Sequence, residues 1–268
     1  MNYQGIFDKL WIDYTTQNPS AKKVYDLFAN EGETVENDHI AFRTFNLPEI
    51  NIDVLAQVFL NNGYVARNEY RFEQKKLKAK HYEHIFDPSA PRVFISELLL
   101  EEFSEELQNT VFRWVNAIPS SILHSPDLIF SGNCSGLPSY PVYEKLRDES
   151  EYAGWLYVNG FCANHFTVSV NALKRYDSVQ KVNEFLKTNG FFLNDAGGEI
   201  QGTPAELLEQ SSIKAGMNRY QFQEGSYEIP GCYYEFAKRY PDQDGKLYSG
   251  FIAKSADKIF ESTNFYKK

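Results

Sequence analysis

The chain has 268 residues, of which 43% are hydrophobic and 16% aromatic, enough apolar material for one large domain or two fused modules. Its formal net charge of −9 argues against nucleic acid or an anionic membrane as the main partner, but not against a small anionic substrate held by a local cation. No apolar run approaches the roughly 20 residues that span a bilayer.

The N-terminus and the cysteines both bear on where the protein resides. The first residues, MNYQGIFDKLW, contain no basic segment followed by an apolar core, so the sequence predicts no signal peptide. Cys134, Cys162 and Cys232 are an odd number without CxxC spacing, which is typical of reduced thiols rather than of a disulfide framework or a zinc site. We therefore expect a cytoplasmic protein.

Helical and strand-like patterns alternate through the first half of the chain. Two helical patterns within residues 2–31 precede the short apolar strand DHIAFRTF at residues 38–45. A predicted helix at residues 52–60 then ends in Asn-Asn-Gly. Three strand-like segments and an amphipathic helix follow, at residues 64–73, 77–86, 92–100 and 101–117. Four prolines and several glycines favour a connector with short helices over residues 118–160.

The same order of elements then begins again. His165 lies in the strand-like segment NHFTVSV, and a predicted helix at residues 178–187 ends in Asn-Gly, as in the first copy. Each copy later reaches a strand with a glutamate in an apolar setting, Glu97 in VFISELLL and Glu235 in GCYYEFAKR. This self-similarity indicates a duplicated unit of one strand, one helix and three strands.

The repeat predicts an α+β fold built from two βαβββ modules, residues 35–117 and 161–245, joined by residues 118–160. In this prediction the modules form one curved, partly open mixed sheet around a metal site, with peripheral helices. We expect a single compact domain of residues 1–268, with residues 246–268 as its C-terminal segment.

One face of DHIAFRTF has an unusual composition for a core strand. Because strand side chains alternate between faces, His39, Ala41 and Arg43 share one face. If the modules pair, that face meets His165 and Glu235 in a common hollow. Two imidazoles and one carboxylate on adjacent strands are typical of a facial non-heme Fe(II) site. A buried carboxylate also requires a metal or another partner, because burial of an unpaired charge is costly.

The same residues also have purely structural interpretations. A lone histidine in a strand is more often a hydrogen-bonded core residue than a metal ligand, and Arg43 could form a structural ion pair with Glu97. His81 and His84 are three residues apart, which in a strand places them on opposite faces. They are therefore a poor joint metal pair, although His81 remains a candidate for contact with a ligand.

Further polar side chains are expected near the hollow. Alternation places Thr167 and Tyr233 on the inner faces of the second module's strands. Thr203 is predicted to cap a helix that ends in the polar run Gln210-Ser211-Ser212. That run is either solvated surface or a polar shelf beside the site.

Six ordered motifs between about residues 35 and 245 resemble the 2-oxoadipate dioxygenase/decarboxylase (hydroxyglutarate synthase) family: DHIAFRTF, HYEHIF, PRVFISEL, NHFTVSV, IQGTPAELLEQSS and IPGCYYEFAKRYP. The resemblance implies a vicinal-oxygen-chelate-like fold, related to the glyoxalases and hydroxyphenylpyruvate dioxygenase. It also implies that His39, His165 and Glu235 bind the metal and that Arg43 binds a substrate carboxylate. The bacterial members, which act in lysine catabolism, are considerably longer, with extra segments that help close the substrate pocket, so the resemblance implies that such closure is missing or different here.

The activity implied by the resemblance is Fe(II)-dependent oxidative decarboxylation and hydroxylation of a 2-oxo acid by dioxygen. The implied substrate is 2-oxoadipate, and the products are 2-hydroxyglutarate and CO₂. The expected substrate contacts are Arg43, which would hold a carboxylate by a bidentate pair, and Thr167, Ser211 and Ser212. The residues expected beside the ligands are Glu97, His81 and Tyr233.

Two other classes of function remain open at this point. A glyoxalase-like lyase, isomerase or hydrolase would use Zn²⁺, Ni²⁺ or Mn²⁺ and would recruit Glu97 as a fourth ligand or as a base. The same three metals could replace iron in purified protein. A small-molecule binding module would keep the fold without the chemistry. The sequence leaves the oligomeric state open.

Overall fold

The computed structural model describes residues 2–259, which begin with helices α1 (Tyr3–Gln17) and α2 (Pro19–Asn30). The side chain of Asn2 caps α1 by accepting a hydrogen bond from the backbone N–H of Gly5. Pro19 begins α2, where a missing backbone N–H costs nothing. The two helices lie within the predicted residues 2–31.

The first module consists of one strand, one helix and three strands: β1 (Asn37–Phe45), α3 (Ile52–Leu60), β2 (Tyr64–Phe72), β3 (Leu77–His84) and β4 (Arg92–Leu98). Asn51 caps α3 by accepting from the backbone N–H of Val54. The chain leaves the helix through Gly63, whose φ of +86° favours glycine. The order of these elements is the predicted one.

Short helices connect the modules, as the prolines and glycines predict. Helix α4 (Glu105–Asn116) lies within the helix predicted at residues 101–117, and the connector contains α5 (Ser120–Leu123), α6 (Tyr140–Glu149) and α7 (Glu151–Asn159). Ser104 and Ser150 cap α4 and α7 with their side chains, which fixes where these two helices begin.

The second module repeats the first with an insertion before its last strand. Its elements are β5 (Ala163–Ser169), α8 (Val179–Thr188), β6 (Gln201–Thr203), β7 (Leu208–Ser212), the inserted hairpin of β8 (Met217–Phe222) and β9 (Gly225–Pro230), and β10 (Glu235–Arg239). The hairpin forms a separate two-stranded sheet. Helix α9 (Ala253–Ile259) follows the module.

The helix predicted after Thr203 is wrong. Thr203 does cap residues 204–206, but they form a single 3₁₀ turn, because the chain turns away at Leu207 with a φ of +65°. The following residues, Leu208–Ser212, are strand β7, which pairs antiparallel with β10. The Gln-Ser-Ser run is therefore extended, and its side chains alternate between two faces.

Eight strands form one curved mixed sheet in the order β2-β3-β4-β1-β5-β10-β7-β6. Strands β1 and β5 are antiparallel neighbours at its centre, and each is flanked by the parallel last strand of its own module, β4 or β10. The order outward from the centre is therefore equivalent on both sides. This topology confirms the predicted α+β fold of two βαβββ modules in one curved, partly open sheet.

Helices cover the outer face of this sheet. Phe42 of β1 packs against Phe59 of α3, with ring centroids 5.6 Å apart, and Phe166 of β5 packs against Trp11 of α1, with centroids 5.1 Å apart. Burial of these rings stabilises the attachment of the helices. Within residues 2–259, no helix is both long and apolar enough to cross a membrane.

The inner face is bounded by two further elements. At one end, Tyr152 of α7 donates a hydrogen bond of 2.7 Å to the carbonyl of Ser96 on β4. At the other end, the ring of Phe251 lies 4.9 Å from that of Phe94. Helix α9, which follows Phe251, contacts both edge strands, β2 and β6. The C-terminal segment therefore crosses the open side of the curved sheet.

Candidate metal centre

Three neighbouring strands place two imidazoles and one carboxylate at one point of the inner face. His39 lies on β1, His165 on β5 and Glu235 on β10, and Thr167 of β5 lies opposite both His39 and Glu235 in the strand register. The Nε2 atoms of the two histidines are 3.4 Å apart. The carboxylate oxygens of Glu235 lie 3.1 Å from Nε2 of His165 and 3.7 Å from Nε2 of His39.

This group has the chemistry of a divalent metal site. The three donor atoms lie within 4.8 Å of one another, and all three residues are buried. Burial lowers the pKa of His39, despite the nearby Asp38 carboxylate, and lowers the pKa of His165 well below its ordinary value. Both imidazoles are therefore neutral and can donate a lone pair. Burial raises the pKa of Glu235 to about 8, although the hydrogen bond from Gln210 partly opposes this shift.

Hydrogen bonds at Nδ1, on the side of each ring away from the donor atoms, orient the imidazoles of His39 and His165. Nδ1 of His39 lies 2.8 Å from Oδ1 of Asp38, so this nitrogen carries the proton and Nε2 faces the centre of the group. Nδ1 of His165 lies 3.3 Å from the amide of Asn164, whose oxygen has no hydrogen-bond partner within residues 2–259. If the Asn164 side-chain amide is rotated by 180°, its oxygen can accept a hydrogen bond from Nδ1–H of His165.

Other polar groups of the second module surround the donor atoms. Oγ1 of Thr167 lies 3.0 Å from Nε2 of His39, which places its hydroxyl beside the group. The side-chain amide of Gln210 donates a hydrogen bond to the Glu235 carboxylate. The ring of Tyr233 lies 4.8 Å from that of His165, and its buried hydroxyl has no hydrogen-bond partner in the described part of the chain.

Arg43 lies on the same inner face as His39, near α7. Its guanidinium is buried and lies 5.0 Å from the ring centroid of Tyr152 and 4.9 Å from that of Trp155. One of its terminal nitrogens lies 3.3 Å from a carboxylate oxygen of Glu151. Burial lowers the pKa of His165 most, and the neighbouring His39 and Arg43 lower it further. The structural ion pair of Arg43 is therefore with Glu151, not with Glu97.

The expectation that Glu97 lies beside the ligands is wrong. Its carboxylate accepts a hydrogen bond of 3.0 Å from the backbone N–H of Ile52, at the start of α3 on the outer face. The register explains the error: Phe94 lies opposite Ala41 in the first module, as Glu235 lies opposite Thr167 in the second. Glu97 is three residues beyond Phe94, and an odd offset in a strand reverses the face.

We expect Glu97→Gln to leave metal affinity unchanged and to lower the free energy of unfolding by about 0.5–1 kcal/mol. The substitution removes a negative charge from the positive end of the α3 dipole but keeps an oxygen that can accept from Ile52. Urea denaturation and a metal titration of the same protein measure the two quantities. Loss of metal binding by this variant would instead make Glu97 a metal ligand.

His81 lies near the donor group without contacting it. Its Nδ1 lies 2.9 Å from the hydroxyl of Tyr70, and its Nε2 lies 3.2 Å from a carboxylate oxygen of Glu83. The ring of Phe251 contacts both His39 and His81, at centroid distances of 4.8 and 5.4 Å. His81 was expected to contact a metal ligand directly. In the structure, the ring of Phe251 contacts both His81 and the ligand candidate His39.

The two serines of the predicted polar shelf face opposite ways. The hydroxyl of Ser211 donates a hydrogen bond of 2.7 Å to Asn183 of α8, on the outer face, so its expected contact with substrate is wrong. Ser212 lies opposite Glu235 in the register of β7 and β10 and therefore shares the inner face with it. Gln210, two residues earlier, is the other inward side chain of this run.

Four residues at the site were not identified from the sequence: Asp38, Glu151, Asn164 and Phe251. A signal for two of them was present, because Asp38 and Asn164 directly precede the two histidines at equivalent positions of the repeat. Glu151 and Phe251 lie outside the strands that carry the donor atoms, and only the folded chain brings them to the site.

The fold and the donor group together define an α+β protein of two βαβββ modules with a buried group that could hold one metal ion. A family model described as 2-oxoadipate dioxygenase/decarboxylase matches residues 7–124 and 129–246. The chain is 36% identical to the "2-oxoadipate dioxygenase/decarboxylase, chloroplastic/amyloplastic" of Oryza sativa subsp. japonica, over 98% of this chain and 79% of the relative. The chain therefore belongs to the 2-oxoadipate dioxygenase/decarboxylase family.

One solved structure supports the same assignment, and a second shares the fold but has a different description. The crystal structure of hydroxyglutarate synthase from Oryza sativa in complex with 2-oxoadipate matches with a TM-score of 0.91 and 34% identity, over 98% of this chain and 92% of that one. A protein from Shewanella frigidimarina NCIMB 400, described as a putative hydrolase, matches with a TM-score of 0.88 and 46% identity, over 93% of this chain and 97% of that one.

The expected cytoplasmic location is contradicted by the names of the relatives. The rice relative is named as chloroplastic/amyloplastic. A second relative, "2-oxoadipate dioxygenase/decarboxylase, chloroplastic" of Arabidopsis thaliana, is 34% identical over 97% of this chain and 77% of its own length. The expectation was based on cysteines typical of reduced thiols and on first residues that do not resemble a signal peptide. Neither feature distinguishes the cytoplasm from a plastid.

Proposed function

We propose that this chain catalyses the oxidative decarboxylation and hydroxylation of a 2-oxo acid, converting 2-oxoadipate to 2-hydroxyglutarate and CO₂. The observation that carries the proposal is the buried group of His39, His165 and Glu235, which shares the inner face with the buried cation of Arg43. Membership of the family, and the 2-oxoadipate bound to the rice neighbour, support the choice of substrate.

The metal that we propose for this site is Fe(II). His39 and His165 would hold it through their Nε2 atoms and Glu235 through its carboxylate, which leaves further coordination positions open for other ligands. When bound, the metal supplies a Lewis acid for the oxygens of the 2-oxo acid and the redox chemistry that dioxygen requires. Zn²⁺, Ni²⁺ and Mn²⁺ also suit this donor set, so purified protein could carry any of them.

Arg43 would bind and orient the substrate. Tyr152 and Trp155 hold the plane of its guanidinium, and its Nε has no hydrogen-bond partner within residues 2–259. A planar cation with a free donor suits a carboxylate bound at two points. The hydroxyl of Tyr233 has no hydrogen-bond partner within residues 2–259 and is a second candidate contact for the substrate. Burial and the charge of Glu235 raise its pKa well above the ordinary value, so the hydroxyl keeps its proton and can donate it in a hydrogen bond.

The proposed reaction balances without another oxidant or reductant. Dioxygen supplies one oxygen atom to the carboxylate that replaces the keto group and the other to the new hydroxyl group, while the original carboxylate leaves as CO₂. The contribution of the chain is to hold the 2-oxo acid in one orientation and to exclude bulk water. The burial of all three donor residues and the ring of Phe251 against His39 provide that exclusion.

Oxygen uptake by the Fe(II)-reconstituted protein tests the proposal. The substrates are 2-oxoadipate, the shorter dicarboxylic 2-oxoglutarate and the monocarboxylic 2-oxohexanoate, and the control is the same protein loaded with Zn²⁺, which has no redox chemistry. We expect the fastest uptake with 2-oxoadipate and none with Zn²⁺. Absence of uptake with every 2-oxo acid would contradict the proposal.

A second candidate function is metal-dependent hydrolysis or a related glyoxalase-like reaction. The observation in its favour is the 46% identity to the protein described as a putative hydrolase. The reassignment of Glu97 to the outer face weakens it, because that residue was the candidate fourth ligand or base. Turnover of a substrate at the same rate with Zn²⁺ and without oxygen would favour this second function.

A further inference from the structure

The C-terminal strap, residues 248–259, closes the open side of the curved sheet. Its helix α9 contacts β2 at one edge, and β6 and β7 at the other. Its Phe251 places a ring edge-on against His39, with centroids 4.8 Å apart and planes at 88°. The backbone N–H of Phe251 donates a hydrogen bond of 3.1 Å to the hydroxyl of Tyr70 on β2. The strap therefore forms one wall of the proposed metal site.

One buried guanidinium holds this strap in place. NH1 of Arg239, on β10, donates hydrogen bonds to the carbonyls of Tyr248 at 3.0 Å and Gly250 at 2.7 Å. The same guanidinium lies 5.2 Å from the centroid of the Phe251 ring. Arg239 is only 2% exposed, so these bonds form away from competing water.

The other side of the same guanidinium holds the residue that orients His39. Nε and NH2 of Arg239 donate to the two oxygens of Asp38, at 2.7 and 2.8 Å, in a bidentate pair. Burial alone would raise the pKa of Asp38, but the Arg239 charge and the hydrogen bonds from His39 and Arg239 hold it well below its ordinary value. Oδ1 of the resulting carboxylate lies 2.8 Å from Nδ1 of His39.

We propose that Arg239 is a positioning residue that couples metal binding at His39 to closure of the C-terminal strap. A continuous series of hydrogen bonds runs from the strap carbonyls through Arg239 and Asp38 to His39. A metal ion bound at Nε2 fixes the ring of His39, which favours the arrangement of Asp38 and Arg239 that holds the strap. By linkage, a closed strap raises metal affinity to the same extent. The inference rests on the metal site proposed above.

The experiment measures Co²⁺ affinity and trypsin cleavage after Lys254, an exposed lysine in the strap, in the full-length protein. Competition with a chelator gives the affinity, and mass spectrometry follows the cleavage with and without Co²⁺. In the wild type we expect Co²⁺ to slow this cleavage several-fold. Arg239→Lys keeps the charge but loses the planar fork, so we expect roughly 10-fold weaker Co²⁺ binding, faster cleavage and no protection by the metal.

Asp38→Asn tests the contact between Asp38 and His39 separately from the contact between Arg239 and the strap. This variant keeps the bonds from Arg239 to the strap, so we expect metal-free cleavage at the wild-type rate but weaker Co²⁺ binding and no protection by the metal. Arg175→Lys makes the same chemical change as Arg239→Lys at an exposed ion pair with Glu31, and we expect it to match the wild type in every measurement. Far-UV circular dichroism of each variant checks that the fold is retained.

Several results would overturn the inference, and one of them would also overturn the metal site. If the wild type binds no Co²⁺, both proposals fail. If the wild type binds Co²⁺ without protection of the strap, or if Arg239→Lys keeps wild-type affinity or metal-dependent protection, only the coupling through Arg239 fails.

Discussion

Replacement of His165 by Ala is expected to abolish metal binding and oxygen uptake together. The substitution removes one of two nitrogen donors and leaves His39 with Glu235, whose pKa burial raises to about 8. Loss of a hydrogen bond to a ligand costs metal affinity about 10- to 100-fold, so loss of a ligand itself should cost more than 100-fold. Fe(II) affinity under anaerobic conditions and oxygen uptake with 2-oxoadipate measure the two effects.

The matched control for this prediction is His124→Ala. His124 is an exposed histidine in the connector between the modules, so its removal should change neither metal affinity nor oxygen uptake. If His165→Ala still bound Fe(II) with wild-type affinity, the assignment of His165 as a ligand would be wrong. If both variants lost the metal equally, the effect would not be specific to the proposed site.

Arg43→Lys is expected to keep the metal and the fold while losing most of the activity. Lysine retains the positive charge that faces Glu151, but it lacks the planar fork that binds a carboxylate at two points. Hydrogen bonds to charged groups contribute about 1.5–3 kcal/mol, so kcat/KM for 2-oxoadipate should fall roughly 10- to 100-fold. The loss should be smaller for 2-oxohexanoate, which has no second carboxylate.

Arg43→Met and Arg175→Lys complete this comparison. Methionine fills much of the space between Tyr152 and Trp155 without a charge, so its activity on 2-oxoadipate should be lower than that of the lysine variant. Arg175 lies on the surface and should tolerate lysine without loss. Unchanged kinetics of both Arg43 variants on all substrates would make Arg43 a scaffold residue that serves only the contact with Glu151.

The repeat in the sequence predicted the order of elements in both modules and the equivalent positions of His39 and His165. Helix endings at Asn-Gly, and strands with histidines at equivalent positions, are local features that strand alternation converts into a shared inner face. The same rule correctly separates His81 from His84: His81 contacts Tyr70 and Phe251 on the inner face, whereas the ring of His84 lies 4.5 Å from that of Tyr3 in α1.

Strand register could not be predicted from the sequence in the same way. Glu97 and Glu235 occupy similar apolar contexts, but the counterpart of Glu235 in the first module is Phe94, and a shift of three residues places Glu97 on the outer face. Register is determined by hydrogen bonds between strands that are distant in the chain, so local patterns do not specify it. The helix assigned after Thr203 failed for a related reason, because pairing of β7 with β10 outweighed a good capping sequence.

Contacts between residues that are distant in the chain could not be predicted from the sequence either. Arg43 meets Glu151, which is 108 residues away, and Arg239 meets Asp38, which is 201 residues away. No spacing rule relates such residues, and only the packing of α7 and of the strap against the inner face brings them together. Within residues 2–259, the strap contacts both edges of the sheet and places Phe251 against His39.

On the proposed mechanism, this buried site directs both atoms of dioxygen into one 2-oxo acid. The most direct measurement is turnover of 2-oxoadipate by the Fe(II)-loaded protein under ¹⁸O₂, with mass spectrometry of the product and parallel measurement of oxygen and CO₂. We predict one CO₂ released for each O₂ consumed, and 2-hydroxyglutarate with one labelled oxygen in its new hydroxyl group and one in its new carboxylate. A product without label, or turnover that continues in the absence of oxygen, would contradict the account.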